Sequence, residues 1–266
     1  MDLSRPLRVA LRIATGLALA FIYFPIGIIV LYSFNAAKGA TWPITSFTLD
    51  WYVKAFNDPG IRSAFATSVE VAIGATVMAL VLGSLLAFGV QRHRFFGRET
   101  ISLIIILPLA LPGIVTGIAL NNAFRTFGIE LGMFTIIVGH ATFCIVTIYN
   151  NAIARLRRTS GSFEEASADL GADTFHTFRR VTLPAIRTSL VAGALLAFAL
   201  SFDEIIVTNF TAGAGIQTLP IWIFNNYSRP NQLPLVNVAA VLVLVLSIIP
   251  VYLATRITHG EGASRT

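Results

Sequence analysis

The chain has 266 residues, of which 55% are hydrophobic and only 12% charged, with a mean hydropathy of +0.76. Soluble domains carry about 25% charged residues, so a soluble fold is excluded; the apolar runs are continuous, which excludes a membrane β-barrel with its alternating strands of about ten residues. The net charge of +6 comes from arginines flanking those runs, a topology signal rather than a nucleic-acid surface, since no aromatic-basic recognition motif accompanies it.

Each run of about 20 apolar residues can cross a hydrocarbon core of about 30 Å. Lipid offers backbone groups no partner, so the runs must be helices. The reading is an all-α polytopic membrane protein with six transmembrane helices, at 13–33, 66–90, 101–121, 133–151, 188–210 and 236–255. The first run follows Arg5, Arg8 and Arg12. It is longer than a signal-peptide core, and no small-x-small cleavage site follows at once, so it reads as an uncleaved span. Residues 34–65, with tryptophans and a tyrosine, read as a structured segment lying at the membrane interface.

The second span carries Glu70 near its start. The third, ISLIIILPLALPGIVTGIAL, holds Pro108 and Pro112, which open its backbone ladder. Gly113 and Gly117 give it a small-xxx-small face for close helix contact. Asn121 and Asn122 close this span, and Asn150 and Asn151 close the fourth, as caps or headgroup contacts. His140, inside the fourth span, reads as a helix–helix hydrogen bond. Asp203 and Glu204 fall late in the fifth span, about 100° apart if the helix is continuous. The 211–235 loop is rich in Gly, Asn and Pro, and the tail HGEGASRT reads as disordered.

Basic residues orient the bundle. With the N-terminus cytoplasmic, most of the 19 lysines and arginines face inward. They include Arg92, Arg94, Arg98, Arg155, Arg157, Arg158, Arg179, Arg180, Arg187, Arg256 and Arg265. Only Lys38, Lys54, Arg62, Arg125 and Arg229 face outward. Both termini are then expected inside.

The segment EEASADLGADTFHTFRRVTLPAI (164–186) then also lies inside, and it is the longest polar stretch of the chain. Ser162-x-x-Glu165 fits a capping box, so a helix can start at Phe163. Phe163, Ala166 and Leu170 share one face at helical spacing, with Glu164, Asp169 and Asp173 away from it. Gly171 permits a turn that other residues resist. A second short helix follows, with Phe175 and Phe178 on one side, and Pro184 suits the first turn of the fifth span. Surface-binding helices prefer a basic polar face. This pair is acidic, which favours a protein-docking knob.

The run Glu165-Ala166-Ser167-x(3)-Gly171-x(9)-Val181-Thr182-Leu183-Pro184 resembles the EAA motif of ABC-importer permeases, E-A-A-x(3)-G-x(9)-I-x-L-P, with Ser167 and Val181 as the departures. The stretches LPLALPGIVTGIAL, GHATFCIVTIYNNAIARLRR, ALSFDEIIVTNFTAG and QTLPIWIF resemble the second permease subunit of spermidine/putrescine-type importers. The resemblance implies the type I ABC importer permease fold, with a core over 62–255, preceded by 1–61 and followed by a cytoplasmic tail at 256–266. It implies that Glu165, Ala166, Ser167, Leu170 and Gly171, with Phe178, Leu183 and Pro184, form the ATPase-coupling segment. It further implies a cytoplasmic ABC ATPase dimer, a second homologous permease subunit and a periplasmic or extracytoplasmic substrate-binding protein as partners, beside the membrane lipids. The implied solute is a polyamine such as putrescine or spermidine; related permeases take other amines, iron or thiamine.

An ionised group at mid-bilayer costs roughly 3 kcal/mol or more, so Glu70, Asp203 and Glu204 should face a cavity or a partner. All three fall in the outer half, where they can act as counter-charges on a cation's pathway. No P-loop, G-x-S-x-G, H-E-x-x-H or paired-cysteine motif occurs. The chain therefore reads as a transport subunit without its own ATPase, catalytic residues or cofactor. His93, His140, His176 and His259 lack metal-ligand spacing, and the lone Cys144 makes no metal site. A stand-alone secondary transporter would instead show an inverted repeat and ion-binding broken helices.

Overall fold

The computed structural model describes residues 4–92, 95–229 and 231–263. Arg94, His93 and Arg265 lie outside the described residues, as does the His259 side chain. Twelve α-helices are formed among the described residues; the only β pairing there is one antiparallel bridge, Asn35 to Phe47. Five helices are long and apolar enough to cross a membrane, and six spans result if one bent pair counts as one. The chain divides into two compact units, Met1–Arg62 with Ile223–Leu242, and Ser63–Trp222 with Val243–Thr266.

In the first unit, α1 (Arg5–Ser33) exposes apolar side chains along its length, including Phe21, Ile22 and Phe24. The connection to α2 (Asp50–Asn57) is ordered by polar contacts to backbone and side chains. The Trp51 indole donates to the Asn35 carbonyl at 3.0 Å, and the Ser33 and Tyr52 hydroxyls lie 2.7 Å apart. Lys54 sits over the Trp51 ring. The segment is structured, as its aromatic residues imply.

The second unit is built around α6 (Met133–Arg158). Its buried face packs against α3 (Pro59–Arg92) and α9 (Leu183–Phe202) through Ala75, Ala79, Phe143, Cys144, Ile148 and Ala197. A lower cluster gathers Ala87, Val90, Tyr149, Leu156 and Ile186. Lipid supplies no hydrophobic drive between helices, so small residues decide how closely the backbones approach. A Cβ on Gly83 would stand 2.9 Å from the Ile145 carbonyl oxygen, so α3 and α6 fit only with glycine there. α6 runs past the expected end at 151, which leaves Asn150 and Asn151 inside the helix. Asn151 donates back to the Thr147 carbonyl at 2.9 Å instead of capping.

The third span is not one kinked helix. α4 (Arg98–Ala110) and α5 (Gly113–Thr126) meet at 106° across Leu111 and Pro112. Pro112 has no N–H and disfavours helical backbone in the residue before it, and Leu111 is extended at ψ 144. The fifth span also breaks: α9 ends at Phe202, and a separate short helix, α10, covers Ile206–Thr211. α10 rests on the glycine face of α5. A Cβ on Gly117 would meet Phe210 Cδ2 at 2.5 Å, and one on Gly113 would meet Ile206 at 3.4 Å. Asn121 reaches across the same contact to the Phe210 carbonyl at 2.5 Å, so it is an interhelical tie rather than a cap. Gly117→Ala should therefore destabilise the unit by about 1–3 kcal/mol, the usual effect of overpacking. A lowered thermal midpoint in detergent checks this, and an unchanged midpoint contradicts it.

α11 (Leu219–Asn226) and α12 (Leu233–Ala263) complete the chain. α12 continues into the tail expected to be irregular, because extending a formed helix needs no new nucleus.

Candidate functional site

The polar segment forms a hook of two short helices, α7 (Ser162–Asp169) and α8 (Thr174–Thr177), then a π-helical turn at Phe178–Thr182 that leads into α9. The expected capping box is not formed. The helix starts one residue early, with Gly161 as its cap and Ser162 already inside; the Gly161 carbonyl accepts from Glu164 and Glu165 N–H at 3.0 and 3.1 Å. Its other end closes as a Schellman motif. Ala172 N–H donates to Ser167 O at 3.1 Å and Gly171 N–H to Ala168 O at 2.9 Å. That closure needs left-handed backbone at the intervening position, and Gly171 has φ +81.

Asp173 caps α8, accepting from His176 N–H at 2.7 Å. This hydrogen bond, with a second one from the imidazole, holds the Asp173 carboxyl below its ordinary pKa. The cap is thus present above the usual carboxylate range and is lost only in acid, as pH falls through the lowered value. Ser167, the departure from the motif's second alanine, lies 2.9 Å from the Thr177 hydroxyl and ties α7 to α8.

Glu164 is half-buried: its Oε1 lies 2.7 Å from Arg92 Nη2 at the end of α3 and accepts from the buried Thr182 hydroxyl at 2.7 Å. The apolar stripe therefore turns outward, with Phe163 64% and Leu170 89% exposed. Glu165, Ala166 and Asp169 are exposed beside it. Phe175 and Phe178 part company. Phe175 is exposed, while Phe178 packs edge-on against Phe88 of α3 at 4.8 Å. Leu183 is half-buried, and Pro184 is exposed in the first turn of α9. An outward apolar stripe flanked by acids is a surface of the kind that contacts proteins or membranes.

The acids expected on one helix instead occupy a turn. Asp203 ends α9 at φ −99 and ψ 4, which removes the 100° separation of a continuous helix. Glu204 is half-buried, and its Oε1 accepts Val207 N–H at 2.9 Å, so it caps α10. Asp203 is exposed, as is Glu70 on α3. Among the described residues no hydrogen bond or ion pair joins Glu70 to either. His140 holds both sides of the break from α6: Nδ1 lies 2.8 Å from the Ser201 hydroxyl and Nε2 2.8 Å from the Thr208 hydroxyl. Thr208 in turn donates to the Glu204 carbonyl at 2.9 Å. His140 is thus the interhelical hydrogen-bonder its position implied. The break itself left only one local signal, a polar pair inside an apolar run.

Residues 79–260 match the family described as "Binding-protein-dependent transport system inner membrane component". The chain is 33% identical to the spermidine/putrescine transport system permease protein PotC of Haemophilus influenzae over 244 residues, covering 91% of this chain and 94% of that protein. It is 34% identical to the putrescine transport system permease protein PotI of Escherichia coli K12 over 236 residues, covering 86% and 83%. A bacterial alginate ABC transporter, crystallised in complex with its alginate pentasaccharide-bound periplasmic protein, contains a chain that superposes with a TM-score of 0.71 at 14% identity, covering 95% of this chain and 93% of that one.

Proposed function

This chain belongs to the inner membrane components of binding-protein-dependent transport systems, and from that premise we propose that it conducts a polyamine-class cation inward, driven by an ATPase dimer docked on α7 and α8. It is a multi-pass inner-membrane permease subunit of an ATP-binding-cassette importer with the type I permease fold. The observation that carries the docking reading is the hook: a Schellman-closed helix whose Phe163 and Leu170 face outward beside Glu165. The distribution of arginines supports both termini, and the hook, on the cytoplasmic side. A second homologous permease completes the pathway across the 62–255 core, and an extracytoplasmic binding protein delivers the solute. Closure of the ATPase dimer moves the coupling segment, and the spans rock between outward and inward access.

The polyamine reading rests on the names of the two polyamine-permease relatives and on three acids at membrane depth. Asp203 and Glu70 are exposed carboxylates that can meet a cation; Glu204 shapes the turn that presents Asp203. A gentle detergent pull-down analysed by mass spectrometry is expected to return an ATPase, a second permease and a binding protein that takes putrescine or spermidine. The chain purified alone should be inert in liposomes. Solute exchange by the lone chain would contradict the reading.

A further inference from the structure

We propose that Glu164 and Arg92 form the strut that passes movement of the docking helix to the inner end of α3, an inference that rests on the ATPase-docking reading of α7. Two adjacent glutamates in the first turn of α7 differ in exposure: Glu165 is exposed, Glu164 half-buried. One oxygen of Glu164 is shared by two elements, 2.7 Å from Arg92 Nη2 and 2.7 Å from the donating Thr182 hydroxyl. Arg92 is the last residue of α3, and Thr182 sits 4% exposed in the π-helical turn that starts the fifth span.

Ser167 and Thr177 tie α7 to α8, so the two short helices move as one hook. α7 has eight residues, is joined to α6 through Thr159–Gly161 and turns into α8 at a left-handed glycine. Its outward face holds no side chain packed on the permease. A push on that face therefore reaches α3 through the carboxylate, and reaches α9 through the same oxygen and Thr182. A half-buried ion pair suits this task, because its attraction is screened less than that of a fully exposed pair and so resists separation of the two helices.

A merely stabilising pair would change how much transporter survives, not how much solute moves per ATP. The test is therefore the coupling ratio of the complete complex, with ATPase, both permeases and binding protein, in proteoliposomes. Glu164→Gln keeps a group that accepts from Thr182 but loses the charge pair. It is expected to retain the ATPase subunit and ATP hydrolysis, while uptake per ATP falls about tenfold. The exchanged pair, Arg92→Glu with Glu164→Arg, should recover at least half of the ratio. Thr182→Val, which removes one hydroxyl and no charge, should give a smaller fall and serves if Glu164→Gln does not fold. An unchanged ratio in Glu164→Gln, or in Thr182→Val where that stands in, overturns the proposal. So does an exchanged pair that assembles without recovery. Loss of the ATPase subunit from Glu164→Gln also overturns it, because that residue would then belong to the docking face. Failure of the ATPase to associate with the unaltered chain would sink the docking reading itself.

Discussion

The paired substitution Phe163→Ser and Leu170→Ser abolishes solute uptake by the assembled transporter and leaves the chain folded. The two residues stand seven apart, two turns along one face of α7 and its cap. Both are mostly exposed, so the permease loses almost no internal packing when they are shortened. Serine is tolerated at a helix end, and neither backbone position needs special geometry. The loss falls on the partner interface. Burying each of these side chains is worth about 1.5–3 kcal/mol, so the pair removes about 3–6 kcal/mol of docking energy. At 1.4 kcal/mol per tenfold, ATPase affinity drops by at least a hundredfold. Uptake in proteoliposomes and co-purification of the ATPase subunit should fall together, with the thermal midpoint of the permease unchanged. Normal uptake would mean the apolar stripe faces something other than the motor.

Asp203→Asn should lower uptake of a divalent or polyvalent amine about tenfold without loss of assembly. The change is isosteric and removes one negative charge from an exposed turn. A unit charge about 6 Å from a cation at an effective dielectric of about 20 contributes roughly 3 kcal/mol, before water and counter-ions reduce it. A tenfold effect is therefore a conservative expectation. Concentration dependence of uptake should show a raised KM, since the carboxylate attracts the cation before any ATP-driven step. An unchanged rate in the Asp203→Asn complex would remove Asp203 from the pathway. The neighbouring Glu204 should behave differently, because its carboxylate is engaged by the backbone of α10.

The hook was legible because its spacing encodes local backbone chemistry. A glycine at position 171 closes a Schellman turn, and Pro184 begins a helix where its missing N–H goes unneeded. The six apolar runs were legible for the same kind of reason, since span length follows from bilayer thickness. What stayed hidden depends on partners distant in sequence. Helical periodicity placed Phe163, Ala166 and Leu170 on one face but could not say which way that face turns; Arg92 decides it by drawing Glu164 inward. The break after Phe202 sits in an apolar run that reads as one helix. It is stabilised by a cap from Glu204 and by His140 bridging from α6, neither of which has a periodic signature. Pro112 announced a bend in the third span, but the 106° turn depends on where α5 finds its glycine contacts with α10.

Cysteine crosslinking from Glu165 would show what the hook touches and which side of the membrane it faces. Cys144 is the only native thiol, so a Cys144→Ala background carrying Glu165→Cys places one reactive group on the hook of the complete transporter in its membrane. A crosslink to the cytoplasmic ATPase subunit is expected, with no labelling by an impermeant thiol reagent applied outside. Labelling from outside, or crosslinks to lipid alone, would contradict the docking reading.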